Sequence, residues 1–127
     1  MPLATALLLN EAGMRREQRL RQSSDFTAVY RKGKPFRSDL LVLRVLRSGR
    51  EPSRVGFTVG KALGNAVQRN LVKRRLREAA RSLPLQGGWD VVVNARRGAA
   101  EAGYWNLREQ MSALMGRAGV LQESHEG

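Results

Sequence analysis

The segment from Asn65 to Leu83 most narrowly limits what this 127-residue chain can fold into. On a helix with about 100° per residue, its apolar residues share one side: Val72, Leu76, Ala79 and Leu83. The opposite side, which we call the basic stripe, consists of Asn70, Lys73, Arg74, Arg77 and Arg81. Only Glu78 interrupts the positive charge, so ion pairs within the helix cannot neutralise it. This helix must therefore bury one face and offer the other to water or to a polyanion.

Positive charge is concentrated in the middle of the chain. The formal net charge is +12, from 23 Lys and Arg against 11 Asp and Glu. Residues 14–81 carry a net charge of +14, whereas residues 1–13 and 82–127 each carry −1. Of the cations 19 are Arg, whose planar guanidinium binds phosphate oxygens in pairs and stacks on rings. This distribution favours nucleic acid as a partner over a merely solvated charged surface.

Several classes of protein are disfavoured by residues that the sequence lacks. It has no Cys, and its single His, His125, is the third residue from the end. We therefore expect no disulfide framework, no metal site and no catalytic residue in this chain. No apolar run approaches the roughly 18 residues of a membrane span, and residues 1–9 lack the basic start of a signal peptide. The sequence predicts a cytoplasmic protein without a membrane partner.

The periodicity of apolar residues predicts an α/β (α+β) two-layer sandwich with a mixed sheet. The predicted element order is α, β, β, α, β, α, with a further short strand near Pro35–Arg37 left open. Strands are expected at residues 39–47 and 54–59, joined as a hairpin, and at residues 89–94 as a buried strand. Residues 14–119 would form a single RNA-binding domain, residues 1–13 a weakly ordered extension and residues 120–127 a flexible tail.

The first and last predicted helices have recognisable ends. Ser23, Ser24 and Asp25 offer N-cap side chains to a first helix that ends at Gly33. The last helix is expected from Tyr104 to Ala118, with Gly119 as its stop.

The aromatic residues allow two interpretations. Phe26 and Tyr30 are one helical turn apart, where they form either a platform for unpaired bases or ordinary core packing. Trp89 and Trp105 are expected in the core. Residues 61–65 lead into a helix N-terminus, whose N–H groups either bind a phosphate or simply close a turn.

Residues 61–78, KALGNAVQRNLVKRRLRE, resemble the signature of the bacterial ribonuclease P protein subunit. Three further segments are similar to that family in the same order: Asp25-Phe26 with Tyr30, RVGFTV at 54–59, and WDVVV at 89–93 followed by Ala95-Arg96-Arg97. The resemblance covers about residues 15–118. It departs at Leu71 and Ala62, where many members carry Arg and Lys.

The resemblance implies a protein that assists a catalytic RNA. In that family the RNA uses Mg²⁺ to hydrolyse the phosphodiester at the 5′ end of mature tRNA, so the protein is a non-catalytic subunit of the endoribonuclease. The Mg²⁺ would be held by the RNA and substrate, and no obligate protein partner is expected. The resemblance also implies a left-handed β-α-β crossover, whereas about 98% of such crossovers are right-handed.

Two sets of binding residues follow from the resemblance. Contacts with the catalytic RNA are implied for Lys61, Asn65, Arg69, Asn70, Lys73, Arg74 and Arg77. Contacts with the single-stranded 5′ leader of precursor tRNA are implied for Phe26, Tyr30 and Arg96.

Two other functions remain as alternatives. A structural RNA-binding protein of the ribosomal-protein type could use the same basic helix without an enzyme partnership. A self-contained metal-dependent nuclease would need paired carboxylates. Nothing in the sequence pairs Asp25, Asp39 and Asp90, which are separated by predicted strands and helices.

Overall fold

The computed structural model describes residues 18–122, which form three α-helices and a four-stranded sheet. The helices are α1 (Ser23–Lys32), α2 (Ala66–Arg81) and α3 (Tyr104–Ala118). The strands are β1 (Lys34–Arg37), β2 (Leu41–Arg47), β3 (Arg54–Thr58) and β4 (Trp89–Ala95). Short 3₁₀ turns span Lys61–Leu63 and Arg97–Glu101. The predicted element order is confirmed, and the short strand near residues 35–37 is present as β1.

The sheet order is β1-β2-β4-β3. β2 pairs antiparallel with both β1 and β4, and β3 pairs parallel with β4. The predicted hairpin between the second and third strands is therefore wrong, because β4 lies between them.

The burial of β4 explains this insertion. Four consecutive residues of β4, from Asp90 to Val93, are buried, so both faces of the strand are covered. An apolar strand of this kind is stable at the centre of a sheet, where both of its edges also find hydrogen-bond partners. A hairpin between β2 and β3 would have left β4 at an edge.

The parallel pairing of β3 with β4 requires a crossover, which α2 supplies. The left-handed sense of this crossover stays a prediction. The apolar side of α2 is buried as expected: Val72, Leu76 and Ala79 are at most 1% exposed, and Leu83, two residues beyond the end of the helix, is 8% exposed.

The main core lies between one face of the sheet and helices α2 and α3. Alternate residues of β2 point into it: Leu41, Leu43 and Val45. Helix α3 contributes Leu107, Met111, Leu114 and Met115. Gly119 ends α3 with φ of +77°, a left-handed conformation that glycine adopts without strain.

Helix α1 covers part of the opposite face of the sheet. Its buried Val29 joins Leu20 and Val92 in a small second cluster, against which Phe26 and Leu46 pack. Gln22, not a residue of the predicted Ser23–Asp25 group, occupies the N-cap position, and its side chain makes no capping hydrogen bond. The N-cap prediction is wrong because the chain enters the helix one residue earlier.

The C-terminal boundary differs from the prediction. Val120 is fully buried, and the amide of Gln122 donates to the carbonyl of Pro84 at 2.8 Å. Leu121 forms a bridge with Leu85. Residues 120–122 are thus held against the domain and do not begin a flexible tail. Residues 1–13 and 123–127 lie outside the described residues.

The two tryptophans have different environments. Trp89 is half-buried against the main core, as predicted, and the guanidinium of Arg47 lies 4.7 Å from its ring centre. Trp105 is 74% exposed. Its ring lies nearly perpendicular to the ring of Tyr104, with 4.9 Å between the two ring centres. The core prediction for Trp105 is wrong because it lies on the solvent side of α3, opposite Leu107 and Met111.

Truncation of a buried side chain and of an exposed one should change the stability of the protein by different amounts. Leu76→Ala, in the core, should lower the free energy of unfolding by about 2–5 kcal/mol. Trp105→Ala should change it by less than about 0.5 kcal/mol. Urea unfolding followed by far-UV circular dichroism measures both. An equal loss of stability in the two variants would contradict this placement of α3.

Candidate nucleic-acid interface

The N-terminus of α2 is closed by its own side chains. The side-chain oxygen of Asn65 accepts from the amide of Gln68 at 2.9 Å, and the Gln68 side chain accepts from the amide of Asn65 at 3.1 Å. This reciprocal arrangement is a capping box. Asn65, a predicted RNA contact, therefore has a structural role at the helix start. Lys61 lies exposed in the preceding 3₁₀ turn.

A cleft lies between the chain entering α1, the outer edge of β3 and the side of α2. The amide of Leu20 donates to the carbonyl of Val55 at 3.0 Å and so holds the entering chain beside β3. The floor is apolar and the rim is cationic. The lining residues are Arg19, Leu20, Arg21, Phe26, Val55, Gly56, Phe57, Lys73 and Arg77.

The residues of α2 that are predicted to bind the catalytic RNA lie on two different surfaces. Lys73 and Arg77 line the cleft together with Phe26. Asn70 and Arg74, together with Arg77, line a shallow groove on the outer surface of α2. That groove also contains two apolar side chains, Val67 and Leu71, which are 75% and 37% exposed. Arg77 is shared by both surfaces.

The cations of α2 are not neutralised by nearby carboxylates. Lys73, Arg74 and Arg77 form no ion pair with any carboxylate of residues 18–122. Arg69 is half-buried, and within the same residues its Nε has no hydrogen-bond partner. Uncompensated positive charge along one helix raises the free energy of the free protein and attracts a polyanion.

Phe26 both packs in the core and lines the cleft. Its ring packs against the cluster of Leu20, Val29 and Val92, and it also lines the cleft. The ring lies directly over Gly56, where a β-carbon would come within 2.4 Å of its Cζ atom. Core packing therefore fixes the ring while part of it faces the cleft.

Tyr30 lies one turn further along α1 and is 40% exposed. Its hydroxyl accepts from the side-chain amide of Asn94 at 2.8 Å, and the Arg44 guanidinium is 5.0 Å from its ring centre. The same amide group also donates to the Thr58 hydroxyl. Tyr30 is not among the residues that line the cleft with Phe26. The two aromatics thus face different surroundings instead of forming one platform.

Arg96, the third predicted leader contact, is tied to the turn between β1 and β2. Its guanidinium donates to the carbonyl of Ser38 at 2.8 Å, and its amide donates to the carbonyl of Leu40 at 2.7 Å. The structure therefore does not bring Arg96 to the cleft.

An ion-pair network that was not predicted from the sequence lies beneath α1. Arg54 donates to both carboxylate oxygens of Asp90, at 3.0 and 2.8 Å, and to the carboxylate of Asp25 at 3.2 Å. The hydrogen bond to Asp90 raises the pKa of Arg54 above its ordinary value, against an opposing effect of burial. Asp25 and Asp90, expected to lie apart, meet at this guanidinium.

Arg44 and Asn94 are also absent from the predicted site. The alternation of inward-facing and outward-facing residues along β2 and β4 could have indicated that both side chains lie on the face opposite the main core. Arg44 lies between the inward-facing Leu43 and Val45, so it must point to the opposite face, towards α1. Asn94 likewise follows the inward-facing Val93.

Within residues 18–122, no three His, Cys, Asp or Glu side chains converge to form a metal site. No helix in this part of the chain is long and apolar enough to cross a bilayer.

Comparison with known proteins relates this chain to one family. A family model described as Ribonuclease P matches residues 14–119. The ribonuclease P protein component of Symbiobacterium thermophilum is 40% identical over 112 residues, which cover 86% of this chain and 97% of the relative. That of Dehalococcoides mccartyi strain CBDB1 is 35% identical over 113 residues, covering 89% and 94%.

Solved structures agree with the sequence comparison. The RNase P protein of Staphylococcus aureus aligns with a TM-score of 0.73 at 28% identity, covering 83% of this chain and 98% of that one. The RNase P protein from Thermotoga maritima aligns with a TM-score of 0.70 at 32% identity, covering 78% and 96%. The chain therefore belongs to the family of bacterial ribonuclease P proteins.

Proposed function

We propose that this chain is the protein subunit of a bacterial ribonuclease P. In this role it binds the catalytic RNA and the 5′ leader of precursor tRNA, and so assists the cleavage that produces the mature 5′ end of tRNA. Family membership supports the subunit role. The unneutralised cations of α2 are the observation that carries the RNA-binding part of the proposal.

The outer groove of α2 suits the catalytic RNA. Arg74 and Asn70 are exposed there and supply donors to phosphate and sugar oxygens. Leu71 stands in this groove where many family members carry Arg, so we expect one phosphate contact fewer at this position. Val67 and Leu71 can instead pack against apolar parts of the nucleotide.

The cleft suits a single strand. Its apolar floor includes part of the Phe26 ring, which can stack on an unpaired base, and Lys73 and Arg77 on its rim can bind the neighbouring phosphates. A folded RNA helix presents its bases in stacked pairs, so a ring exposed in the cleft favours unpaired nucleotides. The 5′ leader of precursor tRNA is a single-stranded segment of this kind.

The chemistry is assigned to the RNA subunit. Mg²⁺, bound by the RNA and substrate, would supply the activated water and stabilise the leaving oxygen. This chain contributes affinity and orientation for the leader, which brings the scissile phosphate to the RNA. The proposed location is the cytoplasm, and no obligate protein partner is required.

The division of labour predicts a simple reconstitution result. The purified protein should not cleave precursor tRNA, whereas protein and catalytic RNA together should cleave it at a Mg²⁺ concentration too low for the RNA alone. Gel separation of end-labelled precursor measures the product. Cleavage by the protein alone would indicate a self-contained nuclease, and RNA binding without any stimulation would indicate a structural RNA-binding protein.

The outer groove predicts a change in salt dependence. If the α2 cations Arg69, Lys73, Arg74 and Arg77 together contact about four phosphates, the log–log slope of binding against salt is roughly −3 to −4. Arg74→Ala should make the slope for the catalytic RNA shallower by about one. Because Arg74 is exposed, the free energy of unfolding should change by less than about 0.5 kcal/mol. Arg50→Ala, in the loop between β2 and β3, is the matched control, and an equal change of slope there would contradict a specific surface.

The cleft predicts a leader-specific loss for Phe26→Leu, which retains an apolar side chain but removes the ring. Holoenzyme with this variant should bind precursor tRNA about 5- to 150-fold more weakly, since stacking contributes about 1–3 kcal/mol per base. Affinity for mature tRNA, which lacks the leader, should not change. Phe36→Leu on β1 alters a half-buried ring at the opposite edge of the sheet and is the control. Equal losses for precursor and mature tRNA would assign Phe26 to folding only.

A further inference from the structure

Two residues of β3 and two of α1 meet in register. Arg54 and Gly56 are alternate residues of β3 and therefore face the same side of the sheet, towards α1. They meet consecutive residues of that helix. Arg54 pairs with Asp25, and Gly56 receives the ring of Phe26.

The guanidinium of Arg54 is held in a defined orientation. Asp90 lies directly opposite Arg54 in the β3–β4 ladder and accepts two hydrogen bonds from its Nε and Nη2 atoms. A two-point pair of this kind fixes the guanidinium plane. The remaining Nη1 donor then points in one direction, and the carboxylate of Asp25 lies at its end, 3.2 Å away.

This contact anchors the first turn of α1 sideways to the sheet. No side chain caps the helix at Gln22, so the ion pair of Asp25 is the polar attachment of that turn. Within residues 18–122, both ion pairs between described side chains involve Arg54. With the Arg54 side chain only 15% exposed, the anchor is largely shielded from water.

Gly56 sets how closely the Phe26 ring approaches the strand. A β-carbon at residue 56 would lie 2.4 Å from Cζ and 2.8 Å from Cε1 of the ring. Both distances are far below van der Waals contact, so any side chain at this position would push the ring outwards.

We propose that Arg54 and Gly56 are positioning residues for leader binding: Arg54 holds the start of α1 through Asp25, and Gly56 admits the Phe26 ring to the depth at which it faces Lys73 and Arg77 across the cleft. This inference rests on the proposed function. In this arrangement β3 determines where the leader binds, although neither Arg54 nor Gly56 stacks on a base itself.

Asp25 allows positioning to be separated from folding. Asp25→Asn removes the charge that reaches α1 while the two-point pair of Arg54 with Asp90 remains. The apolar cluster beneath the helix also remains. Gly56→Ala displaces the ring without altering either ion pair. The two variants therefore perturb Phe26 by independent routes.

The experiment uses holoenzyme assembled from the full chain and the catalytic RNA. Dissociation constants are measured for precursor and mature tRNA with identical tRNA bodies. Asp25→Asn and Gly56→Ala should each weaken precursor binding by about fivefold or more, within the range expected for a lost stacking contact. Mature tRNA and catalytic RNA should bind as before. Asp39→Asn, which alters an exposed carboxylate, is the matched control.

A double-variant comparison separates positioning from general damage. If Asp25 acts through Phe26, Asp25→Asn should cause no further loss of precursor affinity in a Phe26→Leu background. Additive losses, equal losses for precursor and mature tRNA, or unchanged precursor binding in both single variants would overturn the inference. If the unsubstituted holoenzyme binds precursor and mature tRNA equally, leader binding by this chain fails, and the positioning inference fails with it.

Discussion

The position of β4 at the centre of the sheet determines most of the remaining structure. Because its residues from Asp90 to Val93 are buried on both faces, β4 requires a strand on each edge and helices on each side. Its parallel pairing with β3 obliges the chain to cross over the sheet, and the crossover is α2. The burial of one short apolar strand thereby places Lys73 and Arg77 of the basic stripe beside the outer edge of β3.

Because of this placement, the cations of α2 lie on two different surfaces of the protein. One side of the helix faces the outer groove, with Asn70 and Arg74. Lys73 borders the cleft, whose lining also includes apolar residues, and Arg77 lies between the two surfaces. A single helix thus presents cations to two surfaces of different lining, which is the basis of the two RNA contacts proposed above.

Local sequence patterns predicted the helices and strands well, but they predicted poorly which strands lie next to each other in the sheet. The periodicity of α2 identified its buried face because helical spacing depends only on nearby residues. The hairpin expected between β2 and β3 was wrong, since strand neighbours depend on which strand has two apolar faces to bury. Trp105 was misplaced for a related reason: hydrophobic character alone does not exclude a position on the solvent side of an otherwise well-packed helix.

The sequence by itself determined that a helix near residues 65–83 has one apolar and one basic face, and that the charge excess lies in residues 14–81. Both are properties of residue order and formal charge. Only the tertiary structure decided that Asp25 and Asp90 meet at Arg54, from which they are separated by 29 and 36 positions in the chain. It likewise decided that Phe26 lies over Gly56. These contacts join elements distant in sequence, and they exist because the central position of β4 brings β3 and the start of α1 together.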